Sequence, residues 1–382
     1  MITKGPLSTA SVPEKNLGVS PIADKIAKQI LDQSPVYTDP DAGRKVQEAM
    51  LKYGIATAIV PGITEKNDKL LALTQRYAPQ EERLERLAKE PKYTKNSKSL
   101  YLIPKGGSDE YRSMMLWNQS FGRGELANQV SSDDFEHEDK KVITDVFDTL
   151  RKAGTKILSF LNEMPKIKGN LDKTVEAMSS SDQVRLGTNY NTPTMDGSDL
   201  TGVHRDYGTA TFLPGADKKG AYQFYYNDTV NPENSGYVPL SLREDHIIIQ
   251  PGLQMEVITG GEIQAAEHRV INNLKPGEAR ASTAFFMQPN ANVDLRDLKA
   301  DGVGVTKLES DFVENTQDGV VMDSLNFSQY QQVERMMRPK ALSNDDKKFF
   351  TPEKLGERVK AYMQNGLNAK IATDLLAEFA DS

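Results

Sequence analysis

The chain has 382 residues, 38% hydrophobic and 26% charged, with a formal net charge of −7. That is the balance of an ordinary globular protein with apolar material for a sizeable core. No basic stripe marks a nucleic-acid face, and no run approaches the roughly 18–20 apolar residues of a membrane span. There is no cysteine, which excludes disulfides, iron–sulfur centres and thiol catalysis by this chain. The segment Met1–Lys15 lacks the apolar core of a signal peptide, so a cytoplasmic location is expected.

Along the chain, Ile22, Ile26 and Ile30 recur at helical spacing after Pro21 and predict a first helix. Val46, Met50 and Tyr53 carry a second helix that stops at Gly54. The run Ile55–Val60 then reads as a strand ended by Pro61 and Gly62. Residues 64–77 and 79–90 read as helices, and the Lys and Glu runs of 81–98 as solvated faces. The clearest helical period spans 133–162, through Ile143, Val146, Phe147 and Leu150. Trp117 is read as core packing, and His137 as an exposed helix start without a role. Residues 1–181 thus form a mostly helical region around one early strand.

From 182 to 290 the texture changes to short apolar runs punctuated by Gly, Pro and Asn. The runs are Thr209–Leu213, Tyr222–Tyr226, His246–Ile249, Met255–Ile258 and Ala281–Met287, and they suit strands of an antiparallel sandwich or barrel. Residues 291–382 return to loops and then helices at 327–338, 352–365 and 368–380, a region expected to cover the active site.

The chemistry concentrates at His204, Asp206 and His268. Residues two apart on an extended segment point to the same side, so His204 and Asp206 can aim at one ion. His268 must arrive from a distant strand, which a double-sheet fold supplies. Two imidazoles and one carboxylate can take one face of an octahedral ion and leave the remaining positions open, the arrangement associated with oxygen-activating non-haem Fe(II). An isolated His-x-Asp triplet is more often an exposed loop or a satisfied pair; the conjunction carries the reading. Arg280 and Ser282 add to it. They also alternate by two, and a guanidinium with a hydroxyl can hold the far carboxylate of a dicarboxylate whose near end chelates the metal. His246 is read as preceding a strand, with no ligand role.

Several flanking stretches carry a resemblance. Gly202–Leu213 is similar to the HxDYGxxTxL stretch of the isopenicillin N synthase-like Fe(II)/2-oxoglutarate-dependent dioxygenases. Ile248–Glu262 resembles the strand–Gly–strand–turn that precedes the second histidine of that family. His268-Arg269-Val270 resembles its HRV element, and Arg280-Ala281-Ser282 its RxS. Upstream, Tyr53–Ile63 is similar to its N-terminal segment, with Val60-Pro61 in place of Asn-His.

The resemblance implies a mainly β, cupin-like core, a double-stranded β-helix (jelly roll), with helices packed around it. It implies His204, Asp206 and His268 as Fe(II) ligands, and Arg280 and Ser282 as partners of the 2-oxoglutarate C5 carboxylate. A further polar side chain beside the co-substrate is expected from the strand before His204, with the choice open among Thr188, Asn189 and Tyr190; Asn189 and Tyr190 are the candidates carried forward. It also implies O2 as the oxidant and decarboxylation of 2-oxoglutarate to succinate. The coupled oxidation of a small organic molecule would be a hydroxylation, desaturation or cyclisation. Retention of Asp206 argues against halogenation. Phe285 is a candidate pocket wall; Phe212, Phe224, Tyr225 and Tyr226 are others, although sandwich aromatics are more often core. Two alternatives stand beside this reading. One is a non-haem iron oxidase of the same fold that uses no 2-oxoglutarate, as isopenicillin N synthase does. The other is a non-catalytic jelly-roll binding protein. No nucleic-acid or membrane partner is expected.

Overall fold

A computed structural model of the chain describes residues 18–77, 100–104, 111–118, 135–159, 184–193, 199–206 and 208–289. The expected helix at 79–90 and the whole of 291–382, with its three expected helices, lie outside the described residues.

Helix α1 (Ala23–Asp32) buries Ala23, Ile26 and Ile30 on one face. Helix α2 (Ala42–Tyr53) buries Val46, Met50 and Tyr53, and ends where Gly54 takes a left-handed φ of 79°. The Gly54 N–H closes the last turn on the Met50 carbonyl, a geometry glycine adopts without a Cβ penalty. Strand β1 (Ala56–Ile59) and helix α3 (Ile63–Tyr77) follow. Next come β2 (Leu100–Pro104), β3 (Tyr111–Asn118) and helix α4 (His137–Leu158), which buries Ile143, Val146, Phe147 and Leu150. The N-terminal part therefore contributes three strands, where the sequence predicted one. Trp117, on β3, is fully buried in the core and edge-on to Phe135, with ring centroids 6.0 Å apart.

Eight strands complete the fold: β4 (Arg185–Asn191), β5 (Thr201–His204), β6 (Ala210–Ala216), β7 (Tyr222–Tyr226), β8 (Gly236–Pro239), β9 (His246–Pro251), β10 (His268–Val270) and β11 (Arg280–Met287). They divide between two antiparallel sheets. One has the order β1-β9-β6-β11-β4-β3-β2, the other β5-β10-β7-β8. From β4 to β11 the chain steps back and forth between these sheets, with only β7 and β8 consecutive in one of them. That winding is the double-stranded β-helix, with β1, β2 and β3 extending its larger sheet at both edges.

The larger sheet has two different faces. On β11, Phe285 and Met287 join the apolar core shared with the helices, and the Phe285 ring meets Phe147 of α4 edge-on at 5.2 Å. Arg280, Ser282, Ala284 and Phe286 line the space between the sheets. The expectation that Phe285 walls the pocket is therefore corrected. An odd step from Arg280 on a strand turns the side chain to the opposite face, and Phe286 takes the wall position. Phe212 lies on the helix side as well, fully buried, while Phe224 is core beneath α1. The close approach of α4 needs Gly154, where a Cβ would overlap the Met287 sulfur.

A second correction concerns Met255–Ile258, expected as a strand. These residues lie in a short helix, α5 (Leu253–Ile258), in which Leu253, Gln254, Met255, Val257 and Ile258 are all buried. A segment buried on nearly every side leaves no polar face from which to read a period, and short apolar runs are ambiguous for that reason. Among the described residues, no helix is long and apolar enough to cross a membrane.

Phe285→Ala removes a ring from the core between sheet and helices without touching the cavity wall. We expect a loss of about 3–5 kcal/mol in unfolding free energy, measured by urea denaturation.

Candidate metal centre

His204 is the last residue of β5 and His268 the first of β10, and the two are direct partners in the antiparallel ladder. That register brings the imidazoles together, with ring centroids 4.1 Å apart and planes tilted by 51°. Asp206 lies just past the end of β5 rather than on it, yet its Oδ1 is 3.5 Å from His204 Nε2 and 3.9 Å from His268 Nε2. One ligand atom from each of the three residues falls within 4.8 Å of the others, a grouping that could hold a metal ion.

The tautomers suit that role. His204 Nδ1 lies 2.8 Å from the Gly202 carbonyl oxygen and His268 Nδ1 3.1 Å from that of Ala266. A carbonyl can only accept, so each Nδ1 carries the proton and each Nε2 presents its lone pair towards Asp206. Burial pushes the His268 imidazole down to about 4, outweighing the attraction of Asp206, so the ring is neutral at neutral pH. Burial alone would raise the Asp206 carboxyl. The hydrogen bond from the Thr211 hydroxyl opposes that rise and favours the ionised form. Two neutral imidazoles and one carboxylate are the donor set that a divalent first-row metal with mixed N/O preference takes.

Two backbone hydrogen bonds fix the loop that carries Asp206. Its carbonyl accepts from Leu253 N–H at 2.8 Å, and the Thr209 carbonyl accepts from Gly252 N–H at 3.0 Å. The loop is thereby clamped to the junction of β9 and α5. Only glycine fits at the clamp, since a Cβ on Gly252 would overlap the Gly208 carbonyl oxygen and lie 2.8 Å from that of Asp206.

The triad lines a cavity of about 520 Å3 between the sheets. Arg280 and Ser282 line the same cavity, the former only 6% exposed. Across the β4–β11 ladder, Asn191 is the partner of Arg280 and Asn189 of Ser282, and both asparagines are on the cavity wall. Tyr190 is paired with Ala281, so it belongs to the opposite face of the sheet and is not part of the lining. Neighbours on a strand cannot share a face, so of the candidates the sequence left open on this strand Asn189 is on the wall and Tyr190 is not, while Asn191 was passed over. The start of β11 is pinned by Asp217, which accepts from Ala281 N–H at 2.9 Å and from Gln75 Nε2 of α3 at 2.6 Å. The remaining histidines lie elsewhere: His137 is exposed at the start of α4, and His246 begins β9 with its Nδ1 2.8 Å from the Glu244 carbonyl oxygen.

Residues 184–289 match the family model of the 2OG-Fe(II) oxygenase superfamily. The 2-oxoglutarate-dependent dioxygenase tropC of Talaromyces stipitatus is 31% identical over 101 residues, 26% of this chain and 29% of that protein. Jasmonate-induced oxygenase 4 of Arabidopsis thaliana is 26% identical over 165 residues, 42% of this chain and 43% of that protein. The chain thus spans less than half the length of either curated relative. Among solved structures, a 2OG-Fe(II) oxygenase family protein of Caulobacter crescentus superposes with a TM-score of 0.59 at 16% identity, covering 80% of this chain and 99% of that one. That likeness shows the shared fold.

Gly252→Ala forces backbone against backbone at the clamp beside Asp206. We expect a loss of about 1–3 kcal/mol by urea denaturation, as for overpacking at a tightly packed site.

Proposed function

We propose that the chain, whose residues 184–289 match the 2OG-Fe(II) oxygenase superfamily model, is an Fe(II)- and 2-oxoglutarate-dependent dioxygenase that oxidises a small organic molecule by hydroxylation, desaturation or cyclisation. One observation carries the reading: three metal-competent side chains and a buried arginine with its serine line a single cavity. His204 and His268 would bind Fe(II) through Nε2 and Asp206 through Oδ1. When bound, the iron and 2-oxoglutarate supply the oxidising power, with O2 consumed and 2-oxoglutarate decarboxylated to succinate.

The chain's own residues do the rest. The Gly202 and Ala266 carbonyls hold the Nδ1 protons and so keep both Nε2 lone pairs available. Arg280 presents a buried positive charge, which favours an anionic group on that wall, and Ser282 adds a hydroxyl on the same face. Asn189 and Asn191 face that pair across the ladder and supply amide donors and acceptors. Phe286, Leu213 and Ile248 give the same cavity apolar walls that limit water near the reacting groups. The net charge of −7 favours a small-molecule partner over nucleic acid.

Anaerobic addition of Fe(II) and 2-oxoglutarate tests the assignment, read as the visible charge-transfer absorbance of the chelate. The parent develops the band. His268→Ala does not, while its far-ultraviolet circular dichroism is unchanged; a normal band in that variant removes the triad.

Arg280→Ala separates the co-substrate role. Loss of the main counter-charge weakens 2-oxoglutarate binding by about 1.5–3 kcal/mol, roughly 10- to 150-fold, in the same titration. Unchanged affinity, or oxygen uptake independent of 2-oxoglutarate, contradicts the proposal.

A further inference from the structure

We propose that Gln250, acting with Thr211 and Tyr222, is a positioning residue that holds Asp206 as a one-oxygen ligand and thereby sets how many positions around the metal stay open. The inference rests on the iron reading above.

The two carboxylate oxygens of Asp206 have different surroundings. Oδ1 faces the imidazoles at 3.5 and 3.9 Å. Oδ2 accepts the Thr211 hydroxyl at 2.6 Å and the Gln250 side-chain amide at 2.5 Å. Thr211 on β6 and Gln250 on β9 are direct ladder partners, so both side chains leave the same face of the larger sheet together. The orientation of the Gln250 amide is itself fixed. Tyr222, on β7 of the facing sheet, donates its hydroxyl to Gln250 Oε1 at 3.0 Å. A flipped amide would turn its carbonyl oxygen against the carboxylate and leave the tyrosine proton unmatched. The same Gln250 nitrogen lies 3.3 Å from His268 Nε2, so one amide abuts two members of the triad. Gln250 and Thr211 are each 1% exposed and Tyr222 is 7% exposed, so water does not compete for these bonds.

The consequence is a matter of counting. An unrestrained aspartate can turn about its terminal bond and chelate through both oxygens. Charge-assisted bonds from two neutral donors, built into adjacent strands, oppose that turn. An octahedral ion held by two imidazoles and one carboxylate oxygen keeps three exchangeable positions. A carboxylate bound through both oxygens leaves two, too few for a chelating co-substrate and oxygen together.

Mn(II), a redox-stable probe of the same donor preference, tests this on the full chain without turnover. The bound waters of its protein complex are counted by electron–nuclear double resonance, and its affinity is measured by calorimetry. The parent complex carries three exchangeable waters. The Thr211→Val/Gln250→Leu double variant, which removes both donors with little change of volume, carries two and binds Mn(II) about 10- to 100-fold more weakly. Thr211→Ser, which keeps the hydroxyl, retains three. Should the double variant not fold, Gln250→Leu alone carries the same comparison. Three waters in the donor-deleted variant overturn the proposal, as does loss of a water in Thr211→Ser. A parent chain that fails to bind Mn(II), or that binds it unchanged after His268→Ala, overturns the metal reading itself.

Discussion

The cross-strand pairing of His204 with His268 is the contact on which the site depends. An antiparallel ladder brings directly opposed side chains to the same face at about 5 Å, so two imidazoles far apart in sequence arrive together without any help from a loop. The pairing requires β5 and β10 to be neighbours. They are neighbours because the chain alternates between two sheets as it winds, which sets segments from each half of the winding edge to edge. The convergence of these side chains is a consequence of strand order, and Asp206 needs only a short excursion beyond the end of β5.

That excursion is costly and is supported accordingly. A carboxylate placed among buried groups loses its hydration, a penalty tolerable only where hydrogen bonds replace water. Thr211 and Gln250 supply them to the side chain, while Leu253 N–H holds the backbone. Both histidines give their Nδ1 protons to carbonyls of residues two positions earlier in the chain, and burial keeps His268 uncharged. The result is a rigid, largely desolvated donor set whose geometry is fixed before any ligand arrives. Preorganisation of this kind lets a metal site hold its ion without strain in the ligands.

Much of this was legible in the sequence where the signal was local. The helical periods of α1, α2 and α4, the Gly54 stop and the limits of β7 follow from side-chain spacing alone, and the His-x-Asp spacing pointed at two of the three converging side chains. What was not legible depended on which side of a strand faces what. Phe285 and Tyr190 have the composition of pocket residues, but each sits one step out of phase with the cavity wall; the odd step from Arg280 gives this for Phe285, and the β4–β11 register gives it for Tyr190. Asn191 was recoverable by the same arithmetic, being two residues from Asn189. Gln250 and Tyr222 gave no signal, because a glutamine in an Ile-Ile-Ile-Gln run and a tyrosine in an aromatic run read as ordinary strand. The strands β2 and β3 pair with each other, and only β3 joins the larger sheet, through β4, which lies far away in sequence.

The two faces of β11 show how stability and chemistry share one segment. Phe285 and Met287 hold the helices to the sheet, while Arg280, Ser282, Ala284 and Phe286 line the cavity. Alternation separates the two sets by the thickness of a backbone, so a change on one face need not disturb the other. Asp217 couples them only at the end of the strand, where it grips the Ala281 N–H and is itself held by Gln75 of α3. The strand end that carries Arg280 is thus linked to a helix through Asp217. Cavity-facing residues further along, such as Ala284 and Phe286, are free of that tie. Variation in the molecule the cavity accepts is accordingly easiest at these latter positions, and hardest at the arginine.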